Sequence, residues 1–355
     1  MKKKFIADLH IHSKYSLATS KLLVPEYLEY WSALKGIDLV GTGDCIHPAW
    51  LDELETKLEY SPNGFYKLKK EYKLNNSELP SINTDGIHFV LTTEISCIYR
   101  KRDKTRKVHN ILILPNFDSA RRLQKKLDKL GNIRADGRPI LGIDSKHLLE
   151  IALEISRDII FIPAHIWTPW FSVLGSKSGF DSIFECFEEL TNYIFAVETG
   201  LSSDPLMNWH CSFLDDFALI SNSDAHSPEK LGREANIFDC EFNYYDLYQS
   251  LKDHKSKDSG FLGTIEFYPE EGKYHLDGHR KCNICWQPEQ TLEHNGICPS
   301  CGKEVTKGVL YRVNELADRK NISNLARQSY RSIIPLIELI AEIQQRPVGS
   351  KFVKA

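Results

Sequence analysis

Seven short apolar runs, each of strand length and each bounded by polar or turn residues, set the frame of residues 5–240. They are Phe5–Ile11, Ile37–Val40, His88–Leu91, Asn110–Leu114, Ile159–Ile162, Ile194–Val197 and Ala218–Ile220. Between several of them the apolar spacing becomes helical. One helical stretch opens with Pro25 and stops at Gly36, a second runs from about Asp118 to Gly131, and a third from about Ser145 to Ser156. Strands and helices in alternation argue for an α/β fold with a parallel sheet, open or closed into a barrel. Residues 60–86 interrupt the rhythm with a polar excursion, and 253–260 read as a linker. From Asn321 a helical pattern is expected to about Gln345, broken near Pro335.

Composition narrows the class. The chain has 355 residues, 42% hydrophobic and 26% charged, which excludes a disordered or collagen-like polypeptide and suggests roughly two or three domains. No run of 18 apolar residues occurs, so a membrane-spanning helix is not expected. The start Met1-Lys2-Lys3-Lys4 is followed by Asp8, His10 and His12 where a leader peptide would be apolar, and an intracellular protein is expected.

The chemistry lies at the ends of the apolar runs. The first gives Asp8-Leu9-His10-Ile11-His12, and on an extended backbone residues two apart share a face, so both imidazoles can meet one ion. Asp44, Glu94, His165, Glu198 and the pair Asp224-x-His226 end or follow later runs, and His109 opens one. In a parallel barrel such groups converge on one face. Imidazoles and carboxylates together suit zinc, manganese or iron. They outnumber what one ion needs, so two or three ions sharing carboxylates are expected, a set suited to phosphoester hydrolysis. His47, His88, His147, His210 and His254 are read as structural or exposed.

Nine cysteines are present, four of them as Cys282-x2-Cys285-x12-Cys298-x2-Cys301. Two thiolate pairs at that spacing read as one tetrahedral structural zinc site, and the scattered remainder as reduced thiols. Charge divides along the chain: residues 272–355 carry 13 Lys+Arg against 8 Asp+Glu, net +5, and the remainder is −8. An acidic body with a basic tail is compatible with metal binding in one part and nucleic-acid contact in the other.

The His-x-His start, the Asp after the second run, the mid-chain Glu, two middle histidines and a final Asp-x-His resemble the PHP (polymerase and histidinol phosphatase) superfamily. That resemblance implies a distorted (β/α)7 barrel with a trinuclear metal centre. His10, His12, Glu94 and Asp224 would hold one ion. Glu94 would bridge to a second held by His109 and His165. Asp44 and His226 would hold a third, with Glu198 nearby. Asp224, Glu94 and His165 would be the catalytic core. The sequence departs from the pattern at Asp44-Cys45, where many members have Asp-His, and at Leu17/Ala18, where many have Asp or His.

The segment from Tyr268 to Cys282, the four-Cys module and a helical tail, together with Gly41-Thr42-Gly43-Asp44-Cys45-Ile46-His47-Pro48 and Pro163-Ala164-His165-Ile166-Trp167-Thr168-Pro169-Trp170, are similar to the endonuclease Q family. The similarity covers essentially the whole chain. It implies a PHP domain over 1–260, a zinc module over 261–310 and a helical segment over 311–355. Its implied activity is metal-dependent incision of DNA on the 5′ side of deaminated bases (hypoxanthine, uracil, xanthine) and abasic sites. Two or three divalent ions (Zn, Mn or Mg, with Fe as another candidate) and one structural Zn are implied. The implied partners are lesion-bearing DNA and, through the tail, replication or repair proteins; the implied location is the cytoplasm at the nucleoid, with no membrane contact.

The residues add candidates for DNA contact. The stretch 99–107, read as a hairpin, carries six basic residues, Arg100, Lys101 and Arg102 among them, just before His109, and could hold phosphates if it leans over the metals. Trp167 and Trp170 follow His165 and could stack on a displaced base. His279, Arg280 and Lys281 lead into the zinc module and could clamp DNA from the other side. Competing readings are a PHP-type phosphatase of small phosphomonoesters, a proofreading exonuclease and a non-catalytic nucleic-acid adaptor.

Overall fold

The computed structural model describes residues 2–75, 79–256, 258–323 and 328–354. Its centre is a sheet of eleven strands. Strand β1 (Lys2–Asp8) runs parallel to β2 (Leu39–Gly41), and β2 runs parallel to β3 (His88–Lys101). Strand β4 (Lys104–Leu114) then returns antiparallel along β3, and β5 (Ile160–Pro163) lies antiparallel to β4. On the other side of β1 come β8 (Ala235–Glu241), β9 (Phe261–Glu266) and β10 (Ser329–Ser332). Between β5 and β8 in sequence, β6 (Ala196–Glu198) and β7 (Ala218–Ile220) form a separate parallel pair.

The α/β class is therefore as the sequence indicates, but the sheet is mixed. The reason is local. The apolar run beginning at His88 does not stop at Leu91: Thr92, Thr93, Ile95 and Ile98 keep the backbone extended to Lys101. A two-residue turn follows, with Arg102 and Asp103 at φ 51° and 56°. A turn of that hand matches the twist of the flanking strands and forces them antiparallel. Among the described residues no closed ring of hydrogen-bonded strands is present, so the closed barrel is not what the ladders form.

The helices follow their punctuation. Helix Pro25–Lys35 begins at its proline and ends where Gly36 turns left-handed (φ 72°), letting the Ile37 N–H reach the Ser32 carbonyl at 2.9 Å. Helix Phe117–Leu127 is capped by Asn116, whose side chain accepts from the Ser119 N–H, and it ends before Gly131. Helix Ser145–Ile155 is capped in the same way by Asp144. These helices bury Leu28, Leu123 and Leu148 in a core that also holds Trp50 and Trp167; on the opposite face Phe5, Phe238 and Phe261 form a second core. Two packed faces leave the strand ends, the loops and the middle of the long β3–β4 ladder for chemistry.

The C-terminal expectation needs correction. Residues 329–332 form β10, and helix Leu336–Ile343 starts only after Pro335. A residue before proline is kept out of the helical region, and β9 offers a free edge that Ser329–Ser332 completes. Residues 324–327 of that expected helix lie outside the described residues. Residues 261–266 belong to the main sheet through β9. No helix among the described residues is long and apolar enough to cross a membrane.

Candidate metal centre

β1 stops at Asp8, and the chain continues extended, held by a single bridge between Ile11 and Ala225. His10 and His12 therefore project into the same space, their ring centroids 5.5 Å apart. Three more contributors turn in sharply after strand ends: Asp44 after β2, His165 after β5 and Asp224 after β7 have φ of 48°, 28° and 45°. Left-handed backbone at a non-glycine residue costs on the order of 1–3 kcal/mol and persists only where the surroundings dictate it.

The result is two groups around one carboxylate. His10, His12 and Asp224 bring ligand atoms within 4.8 Å of one another, as do Glu94, His109 and His165. Glu94 faces both groups. Its Oε1 is 2.7 Å from His109 Nδ1 and 3.1 Å from His165 Nε2. Its Oε2 is 3.5 Å from His10 Nε2 and 3.4 Å from His12 Nε2. Asp224 Oδ1 is 3.0 Å from His12 Nε2. Glu94 is fully buried, whereas the Asp224 side chain is 29% exposed, so the cluster opens to solvent on the Asp224 side.

Burial opposes charge on Glu94, yet His109, Arg138 and His10 around it hold its carboxyl well below the usual range. Burial likewise opposes charge on His12, but hydrogen bonds to Asp224 and Asp44 push it up to about 9. Burial lowers His109 to about 4 in spite of Glu94. Glu94 is thus held as the anion, the form in which a carboxylate ligates a metal. One atom is more telling still. His10 Nε2 is buried with no hydrogen-bond partner while its Nδ1 is taken by Glu198. An unpaired imidazole nitrogen aimed at two carboxylates fits a metal ion.

Two expected ligands stand behind the cluster instead. Glu198 spends both oxygens on His10 Nδ1, the His165 N–H and the Asn222 amide. Asp44 accepts from the Ser13 N–H at 2.6 Å, Ser13 Oγ at 2.7 Å and Ser16 Oγ at 2.8 Å, and lies 3.2 Å from His12 Nδ1. His226 belongs to neither group: its Nδ1 is 2.9 Å from the Asp224 carbonyl and its side chain is 38% exposed. The structure thus brings together two groups, and Asp44 and His226 fall in neither, although the His226 ring packs edge-on to His12 with centroids 4.7 Å apart. Arg138, Ser13, Ser16 and Asn222 were not singled out from the sequence. The two serines following His-x-His carry a usable signal, because a buried Asp needs donors nearby.

The zinc module also rearranges. Its close group is His279, Cys282, Cys298 and Cys301, with Cys285 exposed and outside it. β11 (Asp277–His279) and β12 (Ile284–Trp286) form a hairpin that pairs Gly278 with Cys285, and it puts His279 Nδ1 3.7 Å from Cys301 Sγ. Burial works against a Cys298 thiolate, but the N–H groups of Cys301 and Ser300 bring the thiol down to about 6. His279 therefore sits among possible ligands and is half-buried. Arg280 and Lys281 are exposed beside it.

The remaining DNA candidates separate. The hairpin tip lies seven residues beyond Glu94, about 20 Å along the strand. There Lys101 is held by Glu188 at 3.0 Å and Asp144 at 3.3 Å, Arg102 by Glu185 at 2.7 Å, and Arg100 lies 3.4 Å from Asp103. The tip rests on the helices and does not lean over the cluster. Trp167 is 1% exposed and donates to Asn208 Oδ1 at 2.7 Å, which makes it core. Trp170 is 41% exposed.

No family model matches the sequence. Protein YqxK of Bacillus subtilis is 30% identical over 357 aligned positions, covering 94% of this chain and 82% of that protein. Protein MJ0043 of Methanocaldococcus jannaschii is 33% identical over 216 residues, 57% of this chain but only 26% of its own length. Among solved structures, the lesion-specific endonuclease PfuEndoQ of Pyrococcus furiosus is similar at 31% identity and TM-score 0.81, covering 99% of this chain and 81% of its own. Endonuclease Q complexed with a 27-mer duplex bearing an abasic lesion at the active site is similar at 31% identity and TM-score 0.83, covering 99% and 82%.

Proposed function

This chain belongs to the endonuclease Q family of hydrolytic DNA endonucleases, and on that premise we propose that it cuts DNA at the phosphodiester 5′ of deaminated bases and abasic sites. The observation that carries the proposal is the pair of clusters meeting on Glu94. One ion would take His10, His12 and Asp224, a second His109 and His165, with Glu94 between them. A structural ion would take His279, Cys282, Cys298 and Cys301. Divalent ions in the first two places would supply Lewis-acid stabilisation of the phosphate and an acidified water.

The chain's own residues prepare that chemistry. Glu198 and Asp44 fix the ring orientation of His10 and His12 through their Nδ1 atoms. The Thr168 hydroxyl lies 3.2 Å from His165 Nδ1 and does the same on the other side. Asp224 and Arg138 stand at the solvent opening, where a phosphodiester would enter. We read β1, β2, β3, β4, β5, β6 and β7 as the members of a distorted, unzipped barrel around the site. The bonds from the His12 N–H to the Ala225 carbonyl (3.1 Å) and from the Ile166 N–H to the Glu198 carbonyl (2.9 Å) support this reading. We place the protein with its DNA in the cytoplasm.

The test uses end-labelled duplexes that differ at one position: normal base, deoxyinosine, deoxyuridine or an abasic site. Each is incubated with the protein and Mn²⁺ or Zn²⁺ beside an Asp224→Asn control. Nicking just 5′ of the altered position, absent in the control, is expected. Phosphate release from small phosphomonoesters with no nicking on any duplex would sink the proposal.

A further inference from the structure

Arg138 is a cation set inside a site otherwise built of carboxylates and imidazoles. Its Nη1 lies 3.2 Å from Glu94 Oε2, the oxygen that also faces His10 and His12. The side chain is 26% exposed, so the guanidinium lines the opening.

The loop that carries it is clamped. Asp136 Oδ1 accepts from the Arg138 N–H at 3.1 Å and from the Leu17 N–H at 3.2 Å. The Gly137 N–H donates to the Tyr15 carbonyl at 3.0 Å, and the Ser96 N–H donates to the Pro139 carbonyl at 3.0 Å. Gly137 is pressed so closely that a Cβ there would stand 2.3 Å from Asp44 Oδ2 and 2.5 Å from Ser16 Oγ. The loop is thus anchored to the His12 segment on one side and to β3 on the other.

Such an arm delivers permanent positive charge to one place. An arginine has five N–H donors in a planar fork and cannot shed its proton. Glu94 accepts one of those donors. Cations sharing Glu94 and Asp224 would draw those carboxylates away from the guanidinium, and a substrate phosphate entering at this opening would then compensate it. We infer that Arg138 binds the non-bridging oxygens of the scissile phosphodiester. This deepens the proposed function and rests on it.

The experiment compares wild type, Arg138→Gln and Arg138→Lys, all metal-loaded. The substrate is an abasic duplex carrying either a normal phosphodiester or a neutral methylphosphonate at the scissile position. Stopped-flow anisotropy reads binding before cleavage, and elemental analysis reads metal content. Arg138→Gln should bind the phosphodiester duplex about 10- to 100-fold more weakly than wild type, the loss expected for a charge-assisted hydrogen bond. It should lose nothing further on the methylphosphonate, keep the wild-type metal content, and be partly rescued by lysine. An equal loss on both duplexes, wild-type affinity for the phosphodiester, or a fall in metal content would each overturn the assignment. The two readings fail separately. If wild type nicks no lesion duplex, the endonuclease proposal falls; if Arg138→Gln nicks as fast as wild type, only the role of Arg138 falls.

Discussion

His10 Nδ1 lies 3.0 Å from Glu198 Oε1, and this contact decides which imidazole nitrogen faces the cluster. With Nδ1 turned to the carboxylate, Nε2 is directed at Glu94 and Asp224, the nitrogen a metal ion would take. Glu198→Gln keeps the size but can no longer accept from both His10 and the His165 N–H. Affinity for the ion at His10 should fall about 10- to 100-fold, the usual effect of removing such a partner. Competition with a chromophoric chelator measures it, and an unchanged circular dichroism spectrum separates metal loss from unfolding.

The position of His279 leads to a second prediction. If the lobe's ion takes His279, Cys282, Cys298 and Cys301, then Cys285→Ser should retain zinc, whereas Cys298→Ser and His279→Ala should release it to a chelator. Cobalt substitution reads the same point through the charge-transfer intensity of the thiolates. Wild type and Cys285→Ser should give equal spectra with three thiolate ligands. Loss of zinc in Cys285→Ser would restore the four-cysteine set.

How much of this was written in the sequence varies by feature. His-x-His, Glu94, His109, His165 and Asp224 were legible because the groups end or flank apolar runs, and strand ends converge. The roles of Asp44 and Glu198 were not legible, since a carboxylate that binds a metal and one that orients a histidine look the same in one dimension. The difference lies in Ser13, Ser16 and Asn222, which occupy their oxygens. The hairpin at 99–107 was legible, but its full length was not: polar Thr92, Thr93 and Glu94 after the apolar run hide that one strand runs from His88 to Lys101. His279 was read as a DNA contact because pairing of Gly278 with Cys285 is a register fact that spacing cannot supply.

The two tryptophans after His165 should behave oppositely. Trp167 fills the core and satisfies Asn208, so Trp167→Ala should cost about 3–5 kcal/mol of stability in a denaturant melt. Trp170 is 41% exposed, so Trp170→Ala should change stability by less than about 0.5 kcal/mol. If it stacks on DNA at the lesion, its removal should weaken binding to an abasic duplex by about 1–3 kcal/mol. Unaltered binding would remove Trp170 from the interface.

His88 gives the pH prediction. It is buried at the start of β3, edge-on to Phe242 and Phe65, with Nδ1 3.0 Å from the Gly86 carbonyl. Burial lowers its pKa from 6.5 to about 4. Between those values the unfolded chain binds a proton at His88 that the folded chain refuses, so acidification through this window favours unfolding; above pH 6.5 the contribution is constant. His88→Asn, which can still donate to Gly86 but does not titrate, should remove this component. Denaturation midpoints of wild type should therefore drop more steeply than those of the variant between about pH 6.5 and 4, and run parallel from pH 7 to 8. Parallel curves across the acid window would mean that His88 is protonated in the folded chain.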